Sequence, residues 1–202
     1  MLNRIIIFDI RPLLHGKVSG VEIFTKNIAL SLKRNLPKKC KIIFWTNAKI
    51  KFDFGEFKKM GICVQTFWPN KIFNIIASIF RFPKIDQLIL KQLQKNNKNK
   101  ALIKDFKQNK IVLVVPDPRP APVSEKVIKI FTIHDLSPLH FAKNFNWKTR
   151  FFHQLIRWKK EILESDKIIV PSFFTKKDLL QVFGQTQSNL EKKIKVIYEG
   201  IE

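Results

Sequence analysis

The sequence holds little cysteine, few acids, little arginine and no long apolar run, and each scarcity removes a class of protein. Its two cysteines, Cys40 and Cys63, lie apart, with no further thiol or histidine at metal-ligand spacing. Neither a disulfide framework nor a metal site is expected, and both residues read as core thiols. The longest apolar stretches, such as Ile5 to Phe8 and Ile111 to Val115, fall far short of the roughly 20 residues that span a bilayer, and Met1 to Ile10 lacks the layout of a secretory signal. A soluble, cytoplasmic chain is the expectation. No Gly/Ser or Pro linker and no solenoid or propeller repeat divides it. With 45% hydrophobic and 12% aromatic residues in 202, it is rich enough to bury a full core, which excludes a disordered tail.

The shortage of acids leaves 38 Lys+Arg against 16 Asp+Glu, a formal charge of +22. Such a field attracts phosphates, acidic lipids and nucleic acid. Arginine accounts for only 7 of the cations against 31 lysines, scattered along the whole chain. Base readout favours clustered arginine, so most of the charge reads as a solvated lysine surface and no specific nucleic-acid partner is expected.

What is present alternates between two periodicities. Arg4 to Ile10, Lys41 to Thr46, Ile62 to Trp68, Ile111 to Val115, Val127 to Ile133, Lys167 to Val170 and Ile194 to Tyr198 are short Ile-, Val- and Phe-rich runs of the kind found in buried parallel strands. Between them lie helical patterns. One starts at an N-cap Ser19 and stops at Pro37, and Asn70 to Phe106 suggests two helices broken at Pro83. Trp147 to Glu164 suggests one long helix with Phe151, Phe152, Leu155, Ile156, Ile162 and Leu163 on its apolar face, and Ser172 caps a last helix that ends at Gly184. Pro116, Pro118, Pro120 and Pro122 predict an extended surface loop. The alternation specifies a doubly wound α/β fold with a mainly parallel sheet, whose ligands bind at the carboxyl ends of the strands.

Three junctions sit at such ends. After the first strand, Gly16 and Gly20 bracket a loop that enters a helix, where open N–H groups and the helix dipole favour a phosphate. Neither G-x-G-x-x-G nor the P-loop pattern is matched. Thr132-Ile133-His134-Asp135-Leu136 delivers an imidazole and a carboxylate to the end of a buried strand, suited to a sugar hydroxyl, a phosphate or proton transfer. Pro171-Ser172 opens a helix with Lys176 one turn in. His15, His140 and His153 have no comparable setting. No nucleophile elbow, Cys/His pair or H-E-x-x-H occurs, so hydrolase and metalloenzyme chemistry have no support.

Together these segments resemble the N-terminal domain of family 4 glycosyltransferases of the GT-B architecture, especially bacterial mannosyl- and rhamnosyltransferases of polysaccharide biosynthesis. The resemblance covers essentially the whole chain. It is carried by Phe8-Asp9-Ile10-Arg11-Pro12-Leu13 with Gly16 and Ser19-Gly20-Val21-Glu22, by Thr132-Ile133-His134-Asp135-Leu136-Ser137-Pro138, by Pro171-Ser172-Phe173-Phe174-Thr175-Lys176-Lys177-Asp178-Leu179, and by Lys195-Val196-Ile197-Tyr198-Glu199-Gly200-Ile201. It implies a Rossmann-like domain over residues 1–198, an interdomain linker starting at 199–202, and a nucleotide-binding C-terminal lobe that this sequence does not contain. The implied reaction is a retaining hexosyl transfer from a nucleotide-sugar, with neither metal nor other cofactor, to a saccharide or lipid-linked acceptor held by the N-terminal domain.

By the same resemblance, Gly16, Ser19, Gly20 and Val21 form the loop against the donor diphosphate and acceptor. His134 contacts the transferred sugar, Asp135 orients its turn, and Arg11, Ser172 and Lys176 bind substrate. The family's E-x(7)-E motif belongs to the second lobe. Glu191 and Glu199 have that separation but bracket a lysine-rich strand without the Phe-Gly pair. Half a cleft predicts a chain inactive alone, working with a missing lobe or a split subunit. A basic helix from Arg150 to Lys160 could dock the enzyme on the inner membrane face. The alternative expectation is a non-catalytic basic module that holds nucleic acid or anionic membrane through its lysines and Trp68, Trp147 and Trp158.

Overall fold

The structure, a computed structural model, describes residues 4–15, 19–96, 99–186 and 189–200. Its strands are β1 (Arg4–Asp9), β2 (Cys40–Asn47), β3 (Ile62–Thr66), β4 (Lys110–Val115), β5 (Val127–Thr132), β6 (Lys167–Val170) and β7 (Ile194–Val196). They pair in the order β3-β2-β1-β4-β5-β6-β7, every pair parallel. The chain is therefore a doubly wound α/β fold, as its alternation predicts. The first strands run outward to one edge, the chain then crosses back, and β4 to β7 run to the other. Between β1 and β4 the order reverses, which places the binding crevice of such a sheet at their carboxyl ends.

Strand side chains alternate between two layers. Ile5, Ile7, Ile43 and Trp45 enter one core, and Phe8, Ile10, Ile42 and Phe44 enter the other beneath Ala29 of α1 (Gly20–Asn35). On the α1 side lies the short α2 (Phe57–Met60). The opposite layer holds α3 (Asn70–Phe80), α4 (Ile85–Gln94), α5 (Lys100–Gln108), α6 (Ser137–His140), α7 (Trp147–Ile156), α8 (Trp158–Leu163), α9 (Phe173–Phe183) and α10 (Leu190–Lys193).

The structure corrects three local expectations. Asn70 to Phe106 forms three helices, because a further one, α5, starts after the polar turn and buries Leu102 and Phe106. The predicted helix Trp147 to Glu164 breaks at Arg157, whose φ of 53° is left-handed. On it Ile156 and Ile162 are buried, but Phe151 and Leu163 face solvent. The proline-rich loop after β4 is not on the surface: Pro116, Asp117, Arg119, Pro120, Ala121 and Pro122 are all buried. Prolines carry no N–H to satisfy, and three of their carbonyls have partners. Pro116 O meets His134 Nε2 at 2.8 Å, Pro120 O accepts from Arg11 Nη2 at 3.2 Å, and Pro122 O accepts from Ile85 N at 2.9 Å.

A buried ionic cluster joins the helices of this layer to the sheet. Glu161 of α8, fully buried, accepts from Lys129 Nζ of β5 at 2.9 Å and from Arg81 at the C-cap of α3; Glu164 pairs with the same arginine. Burial alone would raise the Glu164 carboxyl, but the hydrogen bond and charge of Arg81, with Lys129 behind it, outweigh that and hold it below the ordinary value.

Candidate functional site

The two strands that flank the crevice leave the sheet through the same four-residue pattern, Asp9-Ile10-Arg11-Pro12 after β1 and Asp117-Pro118-Arg119-Pro120 after β4. In each, the arginine folds back on the aspartate two residues before it. Arg11 Nε donates to both Asp9 oxygens at 3.0 and 2.9 Å, and Nη2 donates to Oδ2 at 2.6 Å. The guanidinium also reaches Asn74 Oδ1 of α3 at 3.4 Å and lies over the rings of Trp45 and Phe73. Its exposure is 0%. Arg11, expected to touch substrate, is instead spent inside the fold, where it ties the β1 loop to the β4 loop and to α3.

Arg119 Nε donates to Asp117 Oδ1 at 2.5 Å and its Nη2 pairs with Oδ2. Burial by itself would lower this guanidinium, but Asp117, then Asp9 and Glu22, hold it charged and raise it.

At the start of α1, Glu22 Oε2 accepts the Ser19 N–H at 2.8 Å and bonds its hydroxyl, one arm of a capping box. Ser19 is thus used by the helix. The amides of Gly20 and Val21 belong to the first turn, which has no intrahelical acceptors. A Cβ placed on Gly20 meets no described atom within 4 Å, so the local fold does not require glycine there and the backbone is approachable. Gly16 lies outside the described residues.

His134 follows β5 and stands on the same rim. Its ring packs perpendicular to the Phe24 ring of α1, with centroids 4.7 Å apart and planes at 88°. Nε2 sits 2.8 Å from Pro116 O and Nδ1 3.0 Å from Glu199 Oε1, while its carbonyl accepts from Thr175 Oγ1 at 3.2 Å. A carbonyl only accepts, so Nε2 donates to Pro116 O, and Nδ1 faces the Glu199 carboxylate. Asp135 Oδ1 accepts the Ser137 N–H at 2.8 Å and fixes the turn into α6.

Beside His134 lies a cleft of about 200 Å³ lined by Asp135, His140, Phe141, Phe174 and Asp178 among others. His140 Nε2 pairs with both Asp178 oxygens at 2.8 and 2.9 Å. Phe174 is 80% exposed at its mouth. Ser172 accepts the Thr175 N–H at 3.0 Å and caps α9; Lys176 is paired with Glu191 at 2.9 Å. A larger cavity, about 330 Å³, lies at the β3 edge of the sheet between Thr66 and Lys95, and none of the residues that sequence predicts for the sugar-transfer site line it.

The rim thus gathers Glu22, Asp135, Asp178 and Glu199 with two imidazoles, a concentration of acceptors on a chain whose net charge is strongly positive. Carboxylates and imidazoles suit hydroxyl groups, and exposed aromatic faces suit the C–H face of a sugar ring. A stacking platform for nucleic acid is not formed by the tryptophans: Trp158 is buried, Trp68 half-buried and Trp147 exposed. Among the described residues no group of three or more His, Cys, Asp or Glu is placed to hold a metal ion, and no helix is long and apolar enough to cross a membrane.

Sequence reading missed Glu199, which it placed in a linker, and the His140–Asp178 pair, whose members are 38 residues apart. It also missed Asp117 and Arg119, for which a signal existed: the repeated D-x-R-P after two adjacent strands.

The fold defines the class, a doubly wound α/β protein whose strand order reverses between β1 and β4. No protein-family model matches the chain, and no curated protein matches it.

Proposed function

We propose that this chain is the acceptor-holding half of a retaining, metal-independent glycosyltransferase, which moves a hexosyl group from a nucleotide-sugar to a hydroxyl of a saccharide or lipid-linked acceptor. The observation that supports this reading is the packing of the His134 ring against Phe24 of α1, with centroids 4.7 Å apart, which sets the imidazole beside the helix whose first-turn amides are those of Gly20 and Val21. As the sugar leaves its diphosphate, negative charge grows on the phosphate and positive character on the sugar. The Gly20 and Val21 amides, with the α1 dipole, would stabilise the first without a metal. His134, anchored at Nε2 by Pro116 O, would exchange its Nδ1 contact with Glu199 for a hydroxyl of the transferred sugar, and the His140–Asp178 cleft would take one acceptor ring with its hydroxyl on the imidazole. Donor nucleotide binding is assigned to a companion lobe.

Calorimetric titration with a panel of mannosides, rhamnosides and glucosides tests the reading. At least one glycoside is expected to bind, with about tenfold weaker affinity in His134→Ala or His140→Ala, the loss of one hydrogen bond to a charged or paired group. Absence of binding across the panel, together with steeply salt-dependent DNA binding that His134→Ala leaves intact, would overturn it in favour of a basic binding module.

A further inference from the structure

The helix α3 is built inside out. Its inward face carries Phe73, Asn74, Ala77 and Ser78, of which the polar members are committed: Asn74 accepts from Arg11, and Ser78 bonds the Leu155 carbonyl at the end of α7. Its outward face carries Ile72, Ile75, Ile79 and Phe80, all exposed, and Phe82 just beyond and Phe67 just before it are exposed as well. Soluble proteins scatter large apolar side chains singly over their surface; a contiguous set marks an interaction surface.

The charge of the same stretch names the occupant. From Phe67 to Lys95 the sequence contains one acid, Asp86, and it is buried, accepting the Ser124 N–H at 2.9 Å. Exposed or half-exposed in the segment are Lys71, Lys84, Lys91 and Lys95. Phe82, Lys91 and Lys95 also line the 330 Å³ cavity, so the apolar stripe runs into a pocket edged by cations. A second copy of the chain would bring its own +22 against this surface, and like charges oppose that pairing. A surface that couples isoleucine and phenylalanine to lysine with no exposed acid matches a bilayer of anionic lipid, into whose interface apolar side chains sink while ammonium groups meet phosphate.

We propose that the edge formed by residues 67–95 docks on an anionic membrane surface. The site expected from sequence, a basic helix from Arg150 to Lys160, does not exist as one helix, since the chain turns at Arg157. The proposal is independent of the rim chemistry and stands or falls separately from it.

Vesicle co-sedimentation tests it, using phosphatidylcholine with and without phosphatidylglycerol. The wild-type chain is expected to bind the mixed vesicles, far less the neutral ones, and less as salt rises. Ile72→Ser/Ile79→Ser/Phe80→Ser should weaken binding roughly tenfold or more, whereas Lys38→Gln/Lys39→Gln, on an exposed turn outside the segment, should bind nearly as the wild type does. Ile79→Trp supplies a second readout: the fluorescence it adds to that of the four native tryptophans should be quenched by brominated lipids in the mixed vesicles. No binding by the wild type, unchanged binding by the triple variant, an unquenched Trp at position 79, or a dimer in solution that the triple variant dissolves would each overturn the proposal.

Discussion

Arg11 stands two residues after Asp9 and one before Pro12, at the end of a strand where a ligand-binding arginine is expected, and the fold uses it otherwise. The guanidinium is sealed between the Asp9 carboxylate and two aromatic rings. Removing it leaves a buried carboxylate unpaired, which costs about 3 to 5 kcal/mol. Arg11→Met should therefore lower the unfolding free energy in urea by about that amount, while Asp9→Leu/Arg11→Met, which removes both charges, should recover part of it. A change below about 1 kcal/mol in the single variant would contradict the structural role. What sequence shows at this scale is residue type and local spacing. His134 was legible because its strand is local and ends beside it. His140 was not, since its partner Asp178 comes from another helix 38 residues away. Arg119 was half-legible: the second D-x-R-P is visible in the chain, but that its loop is buried follows only from its place between the central strands.

Elements show the same division. Strands that are apolar on both faces announced themselves, and Ser172 announced the start of α9, whose third amide it accepts. The break between α7 and α8 carried no glycine or proline signal: Arg157 takes the left-handed conformation and its Nη1 donates to Ser78 O at 3.3 Å. The outward apolar face of α3 was hidden because apolar periodicity does not say which side the sheet is on. The α8 helix is anchored by the cluster of Arg81, Lys129, Glu161 and Glu164, and that cluster has a pH signature. Glu164 is held below its ordinary value in the folded chain. A group lowered in this way contributes stability above its unfolded value, about 4.3, and that contribution is lost as pH falls through the folded value. Urea unfolding from neutral pH down to about pH 3 should give a shallower acid decline for Glu164→Gln than for the wild type. An identical slope in the two proteins would contradict the assignment.

At the scale of the whole molecule, the doubly wound parallel sheet was readable from βα alternation and right-handed crossovers, while its order β3-β2-β1-β4-β5-β6-β7 was not. The surface pattern was not readable. A net charge of +22 suggests uniform basicity, yet the crevice collects carboxylates and imidazoles while the 67–95 edge carries lysines and isoleucines. Sequence composition averages over faces, and folding sorts them. The two proposals, polyhydroxyl recognition at the rim and membrane attachment at the edge, rest on different parts of one surface.

Residue-resolved NMR of the isotope-labelled chain, titrated with pyrophosphate and with mannosides, rhamnosides and glucosides, separately and together, addresses the rim most directly. The proposal requires pyrophosphate to shift the Gly20 and Val21 amides, at least one glycoside to shift the His134 ring, and both sets to move when the two are present, with the lysine-rich faces unmoved. Shifts confined to exposed lysines, or movement of His134 without the α1 amides when both are present, would contradict a shared site for sugar and diphosphate.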